Sequence, residues 1–416
     1  MKVLSVIIAH PLRKVAGATN AGRELSIASA DYVDMDLAIM WDADESTRIG
    51  NLNVRHMRAS SPLSAFERWL PRTVTVPLYA SKIPDLIDDG DYDLVHIHNL
   101  LPAFAAEKVA QACRRRRVPY VISSHGFNEQ SRYASLNGFK GPRRVLARWA
   151  IEDPFRRVVR GASAIFALSD REQGLLSELG VPAERVHIVT NGVNEFYLEA
   201  PSQAELIEAR TKFGLGNDPI LLFMGSLHGY KGLDVFLSSL KQIKGSFQAV
   251  VAGRFRNDQE REDVLSQAGL SETLARAVVF TNAVTDAELR ALYHTASLFV
   301  YPTKGDTLPL VVLEAMACGL PVVSTTIAGI PFMVGPEQGV LVEPNNEGAI
   351  AEAVNSLLAN PGLRETMGAS ARDNVRRRFR WSLAAKDAVD GYQAVLASKP
   401  SAIEKVLPLG SPGSAS

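Results

Sequence analysis

The chain has 416 residues, 46% hydrophobic and 22% charged, and its 45 Lys and Arg balance 45 Asp and Glu to a formal net charge of zero. That length favours two domains, the composition argues against a disordered or fibrous class, and the neutral balance leaves no global field to recruit nucleic acid or anionic lipid. Cys113 and Cys318 are the only cysteines, and neither has a cysteine or histidine at metal-ligand spacing, which argues against a zinc site and suits a reduced, cytoplasmic protein.

Residues 1–10 read as a first strand, because a proline and basic residues follow the short apolar run instead of a small-residue cleavage site. No stretch approaches the roughly twenty apolar residues of a spanning helix. Further strands are expected at 93–97, 120–123, 164–168 and 186–189, alternating with helix-period segments, the pattern of βαβ units. His125 follows the strand 120–123 and should face a cleft from the carboxyl edge of its sheet. His96 and His98, at period-two spacing, point to one face of a strand end and receive no catalytic role.

Arginines crowd 114–117 and 143–160, the latter interleaved with Val145, Leu146, Trp149, Ile151 and Phe155. Such a segment suits either peripheral contact with anionic lipid or an amphipathic crossover helix with a solvated basic face, which Asp153-Pro154 would break. Ser169 with Glu172 and Thr285 with Glu288 each fit a capping box. The segment 200–219 carries a helix and a glycine turn, and the domain boundary is placed there. The second half repeats the rhythm, with strands at 220–224, 248–252, 278–281, 298–301, 321–324 and 340–342. Residues 399–416, rich in proline, glycine and serine without apolar periodicity, read as a disordered tail.

The most informative stretch is 301–324, YPTKGDTLPLVVLEAMACGLPVVS, which reads strand, loop, helix, turn, strand. Asp306 lies in the loop that ends a strand, where doubly wound folds place ligands. Glu314 is expected about two turns into the helix, about 12 Å along the axis from Asp306 if the helix begins soon after it. Between them the amides of Leu310 and Val311 leave the helix N-terminus unpaired, and Pro309 loses nothing in the first turn. The same residues also suit an ordinary crossover helix with a solvated Glu314 and Gly319 as its C-cap.

This stretch resembles the retaining GT-B glycosyltransferases of family four, the glycosyl transferases group 1. The likeness extends to Asp93-Leu-Val-His-Ile-His-Asn99, Ser124-His-Gly126, Ser169-Asp170, Asn191-Gly-Val193, Gly225 through Lys231-Gly232, Thr285-Asp-Ala-Glu-Leu289 and Ala328-Gly-Ile-Pro331. It implies an α/β GT-B architecture, two Rossmann-like doubly wound domains facing across a cleft. Residues 1–205 would form the acceptor domain, 215–385 the donor domain, and 386–398 a terminal helix packing back on the first domain.

The resemblance further implies that Glu314 holds the ribose hydroxyls, that Asp306 and His125 contact the transferred sugar, and that Lys231 contacts the diphosphate. Gly17 would bring its backbone near diphosphate and acceptor, with Ala16-Gly17 in place of the family's paired glycines. The co-substrate is then a UDP- or GDP-linked sugar and the acceptor a glycan or glycolipid, with no cofactor or metal and no nucleic acid. Three positions depart from the family: Ser226 replaces a usual Arg, Asp306 a usual Glu, and Phe332 a frequent Glu. Arg254 or Arg256 is the candidate replacement cation, unless both are solvated loop residues. The alternatives are a sugar-nucleotide epimerase or phosphorylase on the same fold, or a noncatalytic binding protein.

Overall fold

A computed structural model describes residues 1–10, 17–64, 69, 75–127, 139–225, 230–255 and 257–398. In chain order its first eight strands are β1 (Lys2–Ile7), β2 (Asp34–Trp41), β3 (Glu45–Ile49), β4 (Leu52–Arg58), β5 (Leu94–His98), β6 (Tyr120–Ser123), β7 (Ala164–Ala167) and β8 (Val186–Ile188). They form one sheet in the order β3-β4-β2-β1-β5-β6-β7-β8, parallel except for the β3–β4 hairpin. The next six are β9 (Ile220–Met224), β10 (Gln248–Ala252), β11 (Val278–Asn282), β12 (Leu298–Tyr301), β13 (Val322–Thr325) and β14 (Gly339–Val342). Their sheet is wholly parallel, in the order β11-β10-β9-β12-β13-β14. Central strands such as β5, β6 and β12 are buried throughout, as helix-covered parallel strands require.

Each sheet reverses its winding once, between β1 and β5 and between β9 and β12. Loops leaving the carboxyl ends of such a pair diverge, and the crevice between them is where an α/β sheet takes its ligand.

The chain passes between the units near Gly192 and returns near Arg380, and the two passages touch. The Val193 amide donates to the Phe379 carbonyl at 2.9 Å, and a Cβ on Gly192 would lie 2.3 Å from the Trp381 nitrogen. Helix Gln203–Phe213, which the boundary at 205 divides, packs on helix Asp286–Thr295, where Arg290 bonds Glu205 at 2.8 Å. The last helix, Trp381–Ala397, begins before 386 and packs on helix Gly17–Ser29 of the first unit. Gly391 admits the Phe166 ring, and Tyr392 bonds His96 Nδ1 at 2.7 Å. The segment 399–416, read as a disordered tail, lies outside the described residues. Among the described residues no helix is long and apolar enough to cross a membrane.

Three local expectations are corrected. No strand was expected between 8 and 93, yet β2, β3 and β4 lie there. β3 is almost wholly exposed and so lacks an apolar pattern, and β2 is interrupted by Asp36, a buried carboxylate held by Asn53 at 2.8 Å and Tyr92 at 2.7 Å. Ser169 forms no capping box, because the turn after it is a 3₁₀ turn and Glu172 reaches back to the Leu168 amide at 3.0 Å, one residue short. Thr285 and Glu288 do form one. Asp153-Pro154 does not break the arginine-rich helix. A π turn, Arg148–Glu152, joins Pro142–Ala147 to Asp153–Gly161 in unbroken helical backbone, and the altered hydrogen-bond spacing of that turn accommodates the missing amide of Pro154.

Candidate active site

The loops after β9 and β12 flank the crevice of the second sheet, and they carry Lys231 and Asp306. The backbone dictates how close they come. Gly232 sits at φ +85°, where a Cβ would lie 1.9 Å from the Pro302 carbonyl oxygen, so a side chain there would force the two loops apart. Thr303, fully buried, binds the Tyr230 carbonyl through its hydroxyl at 3.1 Å and accepts from the amides of Gly305 and Asp306, each at 3.3 Å. The Lys304 amide adds a bond to Tyr230 at 2.7 Å.

In this frame Lys231 Nζ donates to Asp306 Oδ2 at 2.5 Å, and the Tyr301 hydroxyl donates to the same oxygen. The side chains are 20% and 13% exposed, so the pair is screened by protein yet open on one side. Sequence reasoning assigned these residues to separate parts of a ligand, and nothing in their spacing signals that they meet.

Helix Leu310–Ala317 begins four residues after Asp306, with Pro309 as N-cap and its carbonyl accepting from Val312 at 3.2 Å. Glu314 is therefore about one turn into the helix, about 6 Å along the axis from Leu310, rather than two turns, and the early helix start on which the 12 Å separation from Asp306 depended is absent. The amides of Leu310 and Val311 remain the first two of the helix, without intrahelical acceptors. Glu314 keeps some access to solvent, but protein surrounds its carboxyl. Burial pushes it up to about 7, a bond from the Tyr293 hydroxyl at 3.2 Å works against this, and Asp286 adds to it.

The first domain faces these groups. His125, at φ +36°, and Gly126, at φ +92°, turn the chain sharply after β6, and a Cβ on Gly126 would lie 2.5 Å from Thr307 Oγ1. Asn191 donates to the Leu308 carbonyl at 2.8 Å, and Leu310 packs against the core of the first domain. Burial lowers the His125 imidazole to about 4, so it is neutral at ordinary pH. The two histidines of β5 then separate. His96 is satisfied structurally by Tyr392 and by Ser123 at 2.8 Å, whereas His98 Nδ1 lies 3.3 Å from His125 Nε2. That contact was missed, since period-two spacing gives a shared face and not a neighbour.

The remaining candidates are more peripheral. Gly17 opens helix Gly17–Ser29, and among the described residues outside its own helix backbone no atom lies within 4 Å of where a Cβ would stand. Arg254 is exposed just beyond β10. Ser226 and Arg256 lie outside the described residues. Phe332 packs edge-on against Phe379, with the Arg378 guanidinium 4.8 Å from its ring centroid. Among the described residues no three His, Cys, Asp or Glu side chains gather as a metal site.

Known proteins resemble the chain in sequence and in fold. The model for glycosyl transferases group 1 matches residues 205–374, and that for glycosyltransferase family 4 matches 47–195. The chain is 30% identical over 358 residues to D-inositol 3-phosphate glycosyltransferase 1 of Catenulispora acidiphila, covering 83% of this chain and 80% of that one. It is 26% identical over 404 residues to an uncharacterized glycosyltransferase of Methanocaldococcus jannaschii, covering 95% and 99%. In fold it is similar to Anabaena HepE in complex with UDP-glucose, with TM-score 0.72, 19% identity and coverage of 95% and 100%. Sucrose-phosphate synthase from Thermosynechococcus elongatus gives TM-score 0.75, 21% identity and coverage of 96% and 100%. Two doubly wound domains whose carboxyl-edge loops meet, one matched by each of two family models, lead to a single assignment: the chain belongs to the group 1, family four glycosyltransferases, with the GT-B fold.

Proposed function

We propose that the protein transfers a sugar from a UDP- or GDP-linked donor to a hydroxyl of a cell-envelope glycan or glycolipid, at the cytoplasmic face of the membrane, with retention of anomeric configuration. The observation that carries this reading is the contact of Lys231 with Asp306 at the crevice of the second sheet, four residues before the helix that starts at Leu310, with Gly126, next to His125, against Thr307. The donor's ribose lies against Glu314, its diphosphate against Lys231 and the helix amides, and its sugar between Asp306 and His125. Arg254 and Gly17 stand at the edges of the diphosphate path. The acceptor hydroxyl attacks the anomeric carbon from the face the diphosphate leaves, and its proton passes to the departing phosphate oxygen. No protein nucleophile and no metal enter the step, because fixed dipoles and Lys231 meet the charge developing on the leaving group.

His125 serves as a hydrogen-bond partner and not as an acid. Among the described residues His98 Nε2 is buried without a partner, and a bare acceptor there costs less than an unpaired N–H, so we assign the His98 proton to Nδ1, from which it donates to His125 Nε2. The proton of His125 is then on Nδ1, available to a sugar oxygen.

A thermal-shift panel of UDP, GDP, ADP and their common sugars tests the reading. A ligand at about a hundred times its Kd stabilises by about 2.7 kcal/mol, which raises Tm by several degrees. At least one nucleoside diphosphate is expected to do so; silence from all of them at millimolar concentration would leave a noncatalytic protein.

Glu314 gives a second expected result. A ribose diol bonds the ionised carboxylate, while the free protein holds this group near half-protonation at neutral pH. Binding of an intact nucleotide sugar, which has no phosphate titrating near 7, should therefore release a proton at pH 6.5 and weaken as pH falls through 7. Calorimetry in two buffers of different ionisation enthalpy reads the proton directly. Glu314→Gln should abolish the release and weaken every ligand that contains the nucleoside; persistent release in that variant would remove Glu314 from the ribose site.

A further inference from the structure

The connection from β6 to β7 carries Val145, Leu146 and Trp149, which are 69%, 50% and 68% exposed. Here three large apolar side chains stand bare within five residues, where hydrophobic burial should have drawn them inward. Beside them Arg144, Arg148, Arg156, Arg157 and Arg160, with Glu152 and Asp153, line one cavity of about 590 Å³. Arg157 is held by Glu107 at 2.6 Å, Arg148 lies 3.6 Å from Asp153, and Arg160 bonds the Leu179 carbonyl at 3.1 Å. Among the described residues no ion pair holds Arg144 or Arg156.

The π turn explains how the stripe forms. Residues 144, 148, 152, 156 and 160 recur every fourth position, and on an uninterrupted α-helix such a row drifts by about 40° per step. The wider turn at Arg148–Glu152 takes up one extra residue and returns the row toward the same face.

Topology places the apolar end. The connection leaves β6 at the carboxyl edge, where Gly126 faces Thr307, and ends at the amino edge, where the Ser163 amide bonds the Tyr120 carbonyl at 2.8 Å. Residues 142–161 span about 30 Å at helical rise, against about 13 Å for the four residues of β6. The first turns, with Val145, Leu146 and Trp149, therefore extend past the carboxyl edge on the cleft side of the first domain.

We propose that this segment docks the protein on an anionic lipid surface, Val145, Leu146 and Trp149 entering the headgroup boundary and Arg144, Arg148 and Arg156 binding lipid phosphates. Guanidinium forks match phosphate oxygens, and an indole beside bare aliphatic side chains suits the boundary between headgroup and acyl chain. Charge complementarity selects this occupant, since the cavity carries a local excess of arginine on a chain whose net charge is zero. The docking stands on these residues alone. That it presents a lipid-borne acceptor to the cleft rests on the transfer reading above.

The test is co-sedimentation of the full chain with vesicles of phosphatidylcholine alone or with roughly a third phosphatidylglycerol, alongside the nucleotide thermal-shift panel. Anionic vesicles should bind the protein, and neutral ones should bind it far more weakly. Replacing Arg144, Arg148 and Arg156 together by Gln should lower partitioning on the order of a hundredfold, at about fivefold per arginine. Trp149→Ala should lower it on the order of tenfold. If the triple variant does not fold, the emission of Trp149, isolated as the difference between the native chain and Trp149→Phe, should shift to the blue on anionic vesicles.

Equal binding to both vesicle types, or full binding by the variants, would overturn the proposal. So would a concentration-dependent dimer that Trp149→Ala dissolves in a protein that binds no vesicle. Nucleotide stabilisation without vesicle binding would sink the docking and spare the transfer reading; vesicle binding without nucleotide stabilisation would do the reverse.

Discussion

Lys231→Ala is expected to weaken a nucleoside diphosphate by about 1.5 to 3 kcal/mol, while leaving the matching nucleoside bound as before. The ammonium is a compact charge at the crevice of the second sheet, and in the free protein it is already bonded to Asp306 at 2.5 Å. Its loss removes the cation proposed to meet the diphosphate and also leaves the Asp306 carboxylate with only the Tyr301 hydroxyl of the two donors that hold it now. An uncompensated carboxylate beside the phosphates adds repulsion, so the upper part of the range is expected. Calorimetric titration with UDP and uridine, or GDP and guanosine, separates the two contributions. Equal losses for nucleotide and nucleoside would show that Lys231 does not touch phosphate. Because the partners are in contact, a double-mutant cycle of Lys231→Ala with Asp306→Asn should be strongly non-additive.

Asp306→Asn is expected to lower transfer on the order of a hundredfold without weakening the nucleoside diphosphate. The amide keeps an oxygen for the Tyr301 hydroxyl but gives up the charge that binds Lys231, so the ammonium becomes free to bind phosphate more tightly. The loss should therefore fall on turnover, where an interaction made with the reacting sugar belongs, and not on binding of the leaving group. Asp306→Glu restores the residue more usual in the family and should keep substantial activity or shift sugar preference. An Asp306→Asn protein that folds, binds donor and transfers sugar at the native rate would detach Asp306 from the reaction, and with it the central assignment of the site.

Much of the molecule was legible because its signals are local. Each of the strands β9, β10 and β12 is a short apolar run, buried on both faces, and the sequence places its ends at the residues where the structure does. The loop and helix between β12 and β13 carry Asp306, Leu310, Val311 and Glu314 in one stretch, so their order at the crevice follows from chain direction alone. The elements that failed to show are those whose pattern is hidden by exposure, by a paired buried carboxylate or by a loop without periodicity. β3 has no buried face to mark it, Asp36 interrupts β2 because its charge is satisfied by residues 17 and 56 positions away, and the helix start after Asp306 depends on a loop with no periodicity.

By itself the sequence determined two doubly wound α/β units, the family they belong to, and which of its loops leave the carboxyl edge of each sheet. Periodicity and turn chemistry encode which face of an element is buried and where it ends, and both act over a few residues. Only the tertiary structure decided who meets whom: Lys231 with Asp306 across 75 positions, His98 with His125 across 27, Asn191 with Leu308 across 117, and His96 with Tyr392 across 296. Such partners are set by strand order, by glycines that let backbones close, and by a returning terminal helix. No local pattern records them, because the energy of a contact depends on the surface it lands against and not only on the residue that makes it.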